Sequence, residues 1–178
     1  TSTDSYNTAV GAAAGFAVTT GVDNTFIGAL AGDGTDDGTE NVAVGKSALS
    51  GNCGDNNVAV GKDSLEVTTG SNNVAVGMSA GKGITSGGAN NLLGKDAGDI
   101  IETGNNNVCI GNNVNPHQSN GANQIAIGHD FQAVDNNYFS FGKASNVVSN
   151  QFSVDASWSR SSDQRLKKDI TDSTLGLS

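Results

Sequence analysis

The sequence predicts an all-β fold, a parallel β-roll or β-helix solenoid of 16–17-residue coils assembled as a homotrimer. Three observations predict it. Nine glycines (Gly11, Gly28, Gly45, Gly61, Gly77, Gly94, Gly111, Gly128 and Gly142) follow one another at intervals of 17, 17, 16, 16, 17, 17, 17 and 14 residues. Ahead of most of them stands a β-branched, small, β-branched triplet, such as Val42-Ala43-Val44, Val58-Ala59-Val60, Val74-Ala75-Val76 or Ile125-Ala126-Ile127. The rest of the 178 residues are mostly small and polar, with 25 glycines and a single proline. Such a composition alone would fit a disordered chain. The strict period overrules that, because it puts the apolar residues at fixed places in every unit.

Each unit opens on an amide: Asn7, Asn24, Asn41, Asn57, Asn73, Asn90, Asn107 and Gln124. A column of this kind predicts stacked side-chain amides at a corner of the coil, since Asn suits turns and bonds along a stack. The triplet that follows alternates with period two and reads as a short strand with one packed face. Its small central residue implies close approach by a neighbouring backbone. The glycine then supplies positive φ or room for a corner. Three residues on comes another small residue (Ala14, Ala31, Ala48, Ser64, Ala80, Ala97), often before Leu or Gly, which predicts a second short strand. A polar linker such as Thr68-Thr69-Gly70-Ser71 returns the chain to the next amide.

A coil of this length spans at most about 55 Å fully extended, enough for two short sides and too little for a wide hollow solenoid. Nine coils stacked as parallel strands make a shaft of roughly 43 Å. Alone, so thin a roll leaves one apolar face in water. Three rolls about an axis would bury it with closed symmetry; an intertwined triple β-helix is the competing arrangement.

The organisation divides into a repeat shaft over 1–135, aromatic closing strands and a junction over 136–160, and a distinct segment over 161–178. In the closing part, residues 137–142 and 150–154 form a pair offset by 13 residues, with Phe139, Phe141 and Phe152 where the shaft carries Val.

Charge narrows the partners. Residues 1–150 hold five lysines, no arginine and fourteen acids, while the last 28 residues carry four charges of each sign. A body at −9 repels nucleic acid and anionic membrane surfaces. No apolar run approaches the length of a membrane span, so membrane insertion is not expected. Cys53 and Cys109 lie about three coils apart, roughly 14 Å at strand spacing, beyond disulfide reach. Cys109 takes a position where most units have Ala, so it reads as a small buried residue, and Cys53 reads as a free thiol.

Chemistry-bearing residues are few in the shaft. The loop over 33–40 carries Asp33, Asp36 and Asp37 but lacks both EF-hand spacing and the calcium β-roll motif, so it reads as solvated. His117 and His129 have no partner at ligand spacing, and no metal or cofactor is expected. Asp130 and Asp135 are near neighbours only in sequence, which is not the converging pair that glycan hydrolysis requires. The regular arrays of an ice-binding face are absent.

The C-terminal segment differs in kind. Residues 162–170 read Ser-Asp-Gln-Arg-Leu-Lys-Lys-Asp-Ile. This resembles the start of the intramolecular chaperone domain of the S74 peptidase family, which ends many bacteriophage tail fibres and tail spikes. The resemblance implies that such a domain drives trimerisation and then cuts itself off. It implies Ser162 as nucleophile, Lys167 as its base, and cleavage of the bond to Asp163. A serine hydroxyl beside a desolvated lysine is a coherent pairing for that step. The bland reading is a charged helix start capped by Ser162. Only sixteen residues follow Ser162, so a full domain of that kind is not expected within this sequence.

The repeat itself, Asn-x-Val-Ala-Val-Gly-x-x-Ala, is similar to the head repeats of trimeric autotransporter adhesins, which form trimeric left-handed β-rolls. The longer coils here imply longer loops. Together the resemblances imply a virion fibre segment, extracellular, that attaches to a host cell-surface glycan or protein and is not a turnover enzyme. Candidate receptor contacts are Asp33, Asp36, Asp37, His117, Tyr138 and Trp158. A bacterial adhesin head is the first alternative, separable by a downstream stalk and anchor. A tail-spike glycan hydrolase is the second, separable by glycan release from host envelope.

Overall fold

A computed structural model describes residues 5–152 and the backbone of residues 159–160. Among them there is no helix. The strands are Thr8–Val10 (β1), Thr25–Ile27 (β2), Val42–Val44 (β3), Val58–Val60 (β4), Val74–Val76 (β5), Asn91–Leu93 (β6), Val108–Ile110 (β7), Val114–Asn115 (β8), Ile125–His129 (β9), Phe131–Gln132 (β10), Tyr138–Lys143 (β11), Asn146–Gln151 (β12) and Ser159–Arg160 (β13). Nine of them, β1 to β7, then β9 and β11, stack in sequence order as one parallel sheet, and the eight connections between them are the coils of a β-solenoid.

Register follows the repeat residue for residue. Ala43 faces Ala59 and Ala59 faces Ala75, with the flanking valines aligned on either side. The parallel ladder runs on through β11, where Gly142 aligns with Gly128 and Ser140 with Ala126. The closing strands thus extend the shaft's own sheet across the 135/136 boundary.

From β2 onward the central residue of each triplet points inward, while Ala9 of β1 is exposed at the end of the stack. Phe26, Ala43, Ala59, Ala75, Leu92, Cys109, Ala126 and Ser140 are all buried. Its two neighbours point away from the roll, as the pleat demands. In the Val-Ala-Val triplets the larger side chains therefore lie outside and the small one inside, whereas Phe26 and Leu92 put a large side chain inside.

The wall opposite the sheet is not the second strand that the sequence predicts. Residues 46–49 and their equivalents are turns, with left-handed φ at Ser47 (54°) and Leu49 (57°). Left-handed residues cannot continue a strand, so the chain curls tightly there. The turns still stack coil on coil: Gly32 N donates to Ala48 O at 2.9 Å and Leu65 N to Ala80 O at 3.0 Å. Only β8 and β10 make this wall a sheet, in one two-stranded parallel pair.

The interior is filled by exchange between the walls. Where the sheet supplies Ala43 or Ala59, the facing turn supplies Leu49 or Leu65, all fully buried. Where the sheet supplies Phe26 or Leu92, the equivalent turn position is Gly32 or Gly98. A Cβ on Gly32 would lie 2.5 Å from Phe26 Cδ1, and one on Gly98 would lie 2.6 Å from Leu92 Cδ2. In the coils of β2, β3, β4 and β6 one of these two positions is large; in the β5 coil neither Ala75 nor Gly81 is, and Leu65, Ile84 and Leu92 crowd the space beside Gly81.

The corner glycines answer a different demand. Gly61 sits at φ 134°, and a Cβ there would meet the carbonyl oxygen of Gly77 at 2.4 Å. One coil's backbone rests directly on the next.

At the C-terminal end, β12 is not a further parallel copy. It folds back antiparallel on β11, pairing Phe141 with Val148 and Lys143 with Asn146, and β13 pairs antiparallel with β12. The reversal at Ala144, in left-handed conformation at φ 49°, ends the solenoid. Of the offset pair over 137–142 and 150–154, the second stretch enters β12 at Asn150 and Gln151, and residues 153–154 lie outside the described residues.

Candidate functional site

The amide column is structural. The backbone N–H of Asn24, Asn41, Asn57, Asn73, Asn90, Asn107 and Gln124 each donates to the side-chain oxygen of the preceding rung, at 2.8 to 3.2 Å. Each asparagine also donates its amide N–H to a glycine carbonyl in the following linker, as Asn57 does to Gly70 at 3.0 Å and Asn107 to Gly121 at 2.7 Å. From Asn24 to Gln124 the column is buried. It supplies partners to corner groups that the strand ladder leaves unpaired, and a buried unpaired amide is costly.

The acidic loop is woven into the stack. Asp36 O accepts from the N–H groups of Thr19, Thr20 and Gly21, its N–H donates to Asn52 Oδ1 at 3.0 Å, and its carboxylate accepts from Thr19 Oγ1. Asp33 O accepts from Ala17 N at 3.1 Å, while Asp33 Oδ1 is buried without a partner. Asp37 is exposed. His117 is exposed beside buried Pro116, and its N–H donates to Gln124 Oε1 at 2.8 Å. Tyr138 is half-buried on β11, its hydroxyl 3.4 Å from Gln151 Oε1.

These candidates are not brought together. The 33–40 loop precedes β3 and His117 follows β7, so five coils of about 4.8 Å each separate them. Ser162, Asp163, Lys167 and Trp158 lie outside the described residues.

Both thiols are free and buried. Burial pushes the Cys109 pKa from 9.0 up to about 12. Cys53 is raised too, chiefly by burial and partly opposed by Thr35, whose Oγ1 lies 3.3 Å from its Sγ. Neither is a ready nucleophile. No group of three or more His, Cys, Asp or Glu that could hold a metal ion occurs among the described residues. An open hollow of about 400 Å³ is lined by Asp99, Asn113, Asn115, Asp130 and Phe131. Asp130 is already engaged there by Asn113 Nδ2 at 2.6 Å.

The largest continuous feature is the outer face of the sheet. Its two columns run through Val42, Val58, Val74, Val108, Ile125 and Phe139, with exposed Asn91 interrupting between Val74 and Val108, and without a break through Ile27, Val44, Val60, Val76, Leu93, Ile110, Ile127 and Phe141. Ile27 is 41 %, Leu93 51 % and Phe141 42 % exposed, so the stripe is open to solvent along the stack. Sequence reasoning foresaw a wet apolar face. It lacked the direction of each side chain, which the buried central residues now fix.

No family model, curated protein or solved structure that was compared with the chain matches it.

Proposed function

We propose that this chain is a segment of a trimeric virion fibre, whose shaft holds loops out toward a host-cell surface glycan or protein. The observation that carries the trimeric part is the apolar stripe on the outer sheet face. A soluble monomer rarely exposes so long a contiguous apolar surface, whereas three such faces turned toward one axis bury each other with closed symmetry. The Ser-Asp-Gln-Arg-Leu-Lys-Lys-Asp-Ile stretch supports the viral ownership through its resemblance to self-cleaving fibre chaperones. In this reading Ser162 attacks the bond to Asp163 with Lys167 as base, the released shaft is extracellular on the virion, and Asp37, His117 and Tyr138 are contact candidates.

Two measurements test the reading separately. Light scattering of the purified chain gives three chains per particle if the shaft trimerises; a one-chain mass overturns that part. Intact-mass analysis of the full-length gene product beside its Ser162→Ala variant gives two fragments meeting between Ser162 and Asp163, and one uncut chain in the variant. Uncut chains in both remove the viral argument. They would favour the adhesin-head reading, which the recurring Asn-x-Val-Ala-Val-Gly supports.

A further inference from the structure

Three acids and three lysines of the shaft stand at opposite edges of the apolar stripe. On the edge where the strands begin, Glu40, Asp55 and Asp135 stand just ahead of β3, β4 and β11. On the edge where they end, Lys46 and Lys62 follow the corner glycines of β3 and β4, and Lys143 follows Gly142. All six are exposed. Lys46, Lys143, Glu40 and Asp135 form no ion pair among the described residues, whereas Lys62 is paired with its neighbour Asp63 at 2.6 Å.

Within one chain the lysine edge is only partly compensated, by Asp63 beside Lys46 and Lys62. Lys46 and Lys62 lie in adjacent coils, with Asp63 N donating to Lys46 O at 3.0 Å. Glu40 and Asp55 belong to successive coils, with Asp55 lying beside Thr39, whose N–H donates to its Oδ1 at 2.8 Å. Like charges stacked this closely destabilise a sheet unless something of opposite sign lies beside them. Lys46 has beside it only Asp63 of the next coil, which Lys62 already engages at 2.6 Å, and Glu40, at the opposite end of the same strand, forms no ion pair among the described residues.

We infer that the occupant of both edges is a further copy of this chain, held in register by Lys46 of one chain against Glu40 of the next. The inference rests on the trimeric reading above and adds its geometry. Cyclic symmetry about an axis parallel to the stack turns every sheet the same way. Each corner of the triangle then brings the end edge of one sheet to the start edge of its neighbour, at the same coil level. Lys62 meets Asp55 and Lys143 meets Asp135 by the same rotation. The apolar stripe supplies the attraction, and the charged seams fix the register and exclude antiparallel or slipped pairing.

Two sets of variants on the intact chain test this. Reversal at one end, Lys46→Glu or Glu40→Lys, places like charges across three seams and raises the concentration for half-dissociation by about tenfold or more. The double reversal returns it to within about threefold of the unmodified chain. Separately, Glu40→Cys with Lys46→Cys, oxidised, yields a covalent three-chain species on a non-reducing gel, and either cysteine alone does not. Six residues of strand separate the two positions by roughly 20 Å, so they cannot bridge within one chain. Three-chain particles that show neither rescue nor cross-linking would overturn the seam and leave the trimer standing. One-chain particles would overturn both.

Discussion

The coils of β3 and β2 fill the same interior space from opposite walls. In the first, Ala43 comes from the sheet and Leu49 from the turn; in the second, Phe26 comes from the sheet and Gly32 from the turn. The turn backbone is nearly the same in both, with φ of 57° at Leu49 and 61° at Gly32. Glycine at residue 32 is therefore required by the phenyl ring as much as by the backbone, since leucine holds the same conformation one coil away. Between these two coils volume is conserved per coil, not per column.

The sharpest way to break that comparison is to convert one coil type into the other. Phe26→Ala alone empties the coil and should cost about 3–5 kcal/mol in urea unfolding. Gly32→Leu alone overpacks it, at roughly 3 kcal/mol. Phe26→Ala with Gly32→Leu reproduces the β3 arrangement and should recover most of either loss. Additive losses in the double variant would show that the walls are not exchanging volume.

A somewhat smaller effect is expected from the amide column, which both coil types share. Asn57→Ala strands the Asn73 N–H in a buried corner and takes one of two donors from the Gly70 carbonyl, which keeps the Gly54 N–H. About 2–4 kcal/mol should be lost, by the same unfolding assay. Amide hydrogen exchange at Asn73 should accelerate first.

Cys109 occupies the sheet column with a side chain close to alanine in size, so Cys109→Ala should change neutral-pH stability by less than about 1 kcal/mol. Its signature is alkaline. Unfolding lowers the thiol pKa from about 12 back toward 9.0. Between those values the unfolded chain binds fewer protons than the folded one, so stability falls as pH rises. The contribution is whole below pH 9 and declines by about 1.4 kcal/mol per pH unit above it. Cys109→Ala should flatten that part of the stability profile; an unchanged slope would show that the thiol is not the titrating group.

The smallest expected effect lies on the outer face. Leu93 is 51 % exposed, so Leu93→Thr should shift the dilute chain's unfolding by no more than about 0.5 kcal/mol. The same change should lower the scattering mass at a given concentration. A large loss of stability in the dilute chain would mean that this side chain packs within its own coil.

The period of the glycines and the alternation of the triplets made the parallel stack legible in the sequence, and with it the strands, the amide column and the buried site of Cys109. These features repeat, and repetition averages out local ambiguity. The turn wall was not legible. Ser47, Leu49 and Leu65 adopt left-handed φ, which their residue types do not advertise, so the small residue beside them reads as strand. The reversal at Ala144 lacks the Asn-Gly signature of a tight hairpin, so the antiparallel direction of β12 was not legible. The pairing of Phe26 with Gly32 needs three-dimensional register, because neither residue is unusual alone. Of the candidate contacts, Asp36 looked like a free acid in a loop, yet its main chain and carboxylate join neighbouring coils.

The amide column also gives the molecule a unit of length. Every rung from Asn24 to Asn107 hands both functions of its side chain toward the following coil, the oxygen to the next rung's N–H and the amide N–H to the next linker's carbonyl. Such a rung asks nothing of its neighbour's identity beyond its place in the repeat. Excising residues 57–72 would set Asn73 on Asn41 in the relation Asn57 now holds, shortening the rod by one step of about 4.8 Å without leaving a loose end. Rod height is thus an integer variable: duplication or loss of a single coil changes how far the tip reaches while every junction stays chemically the same.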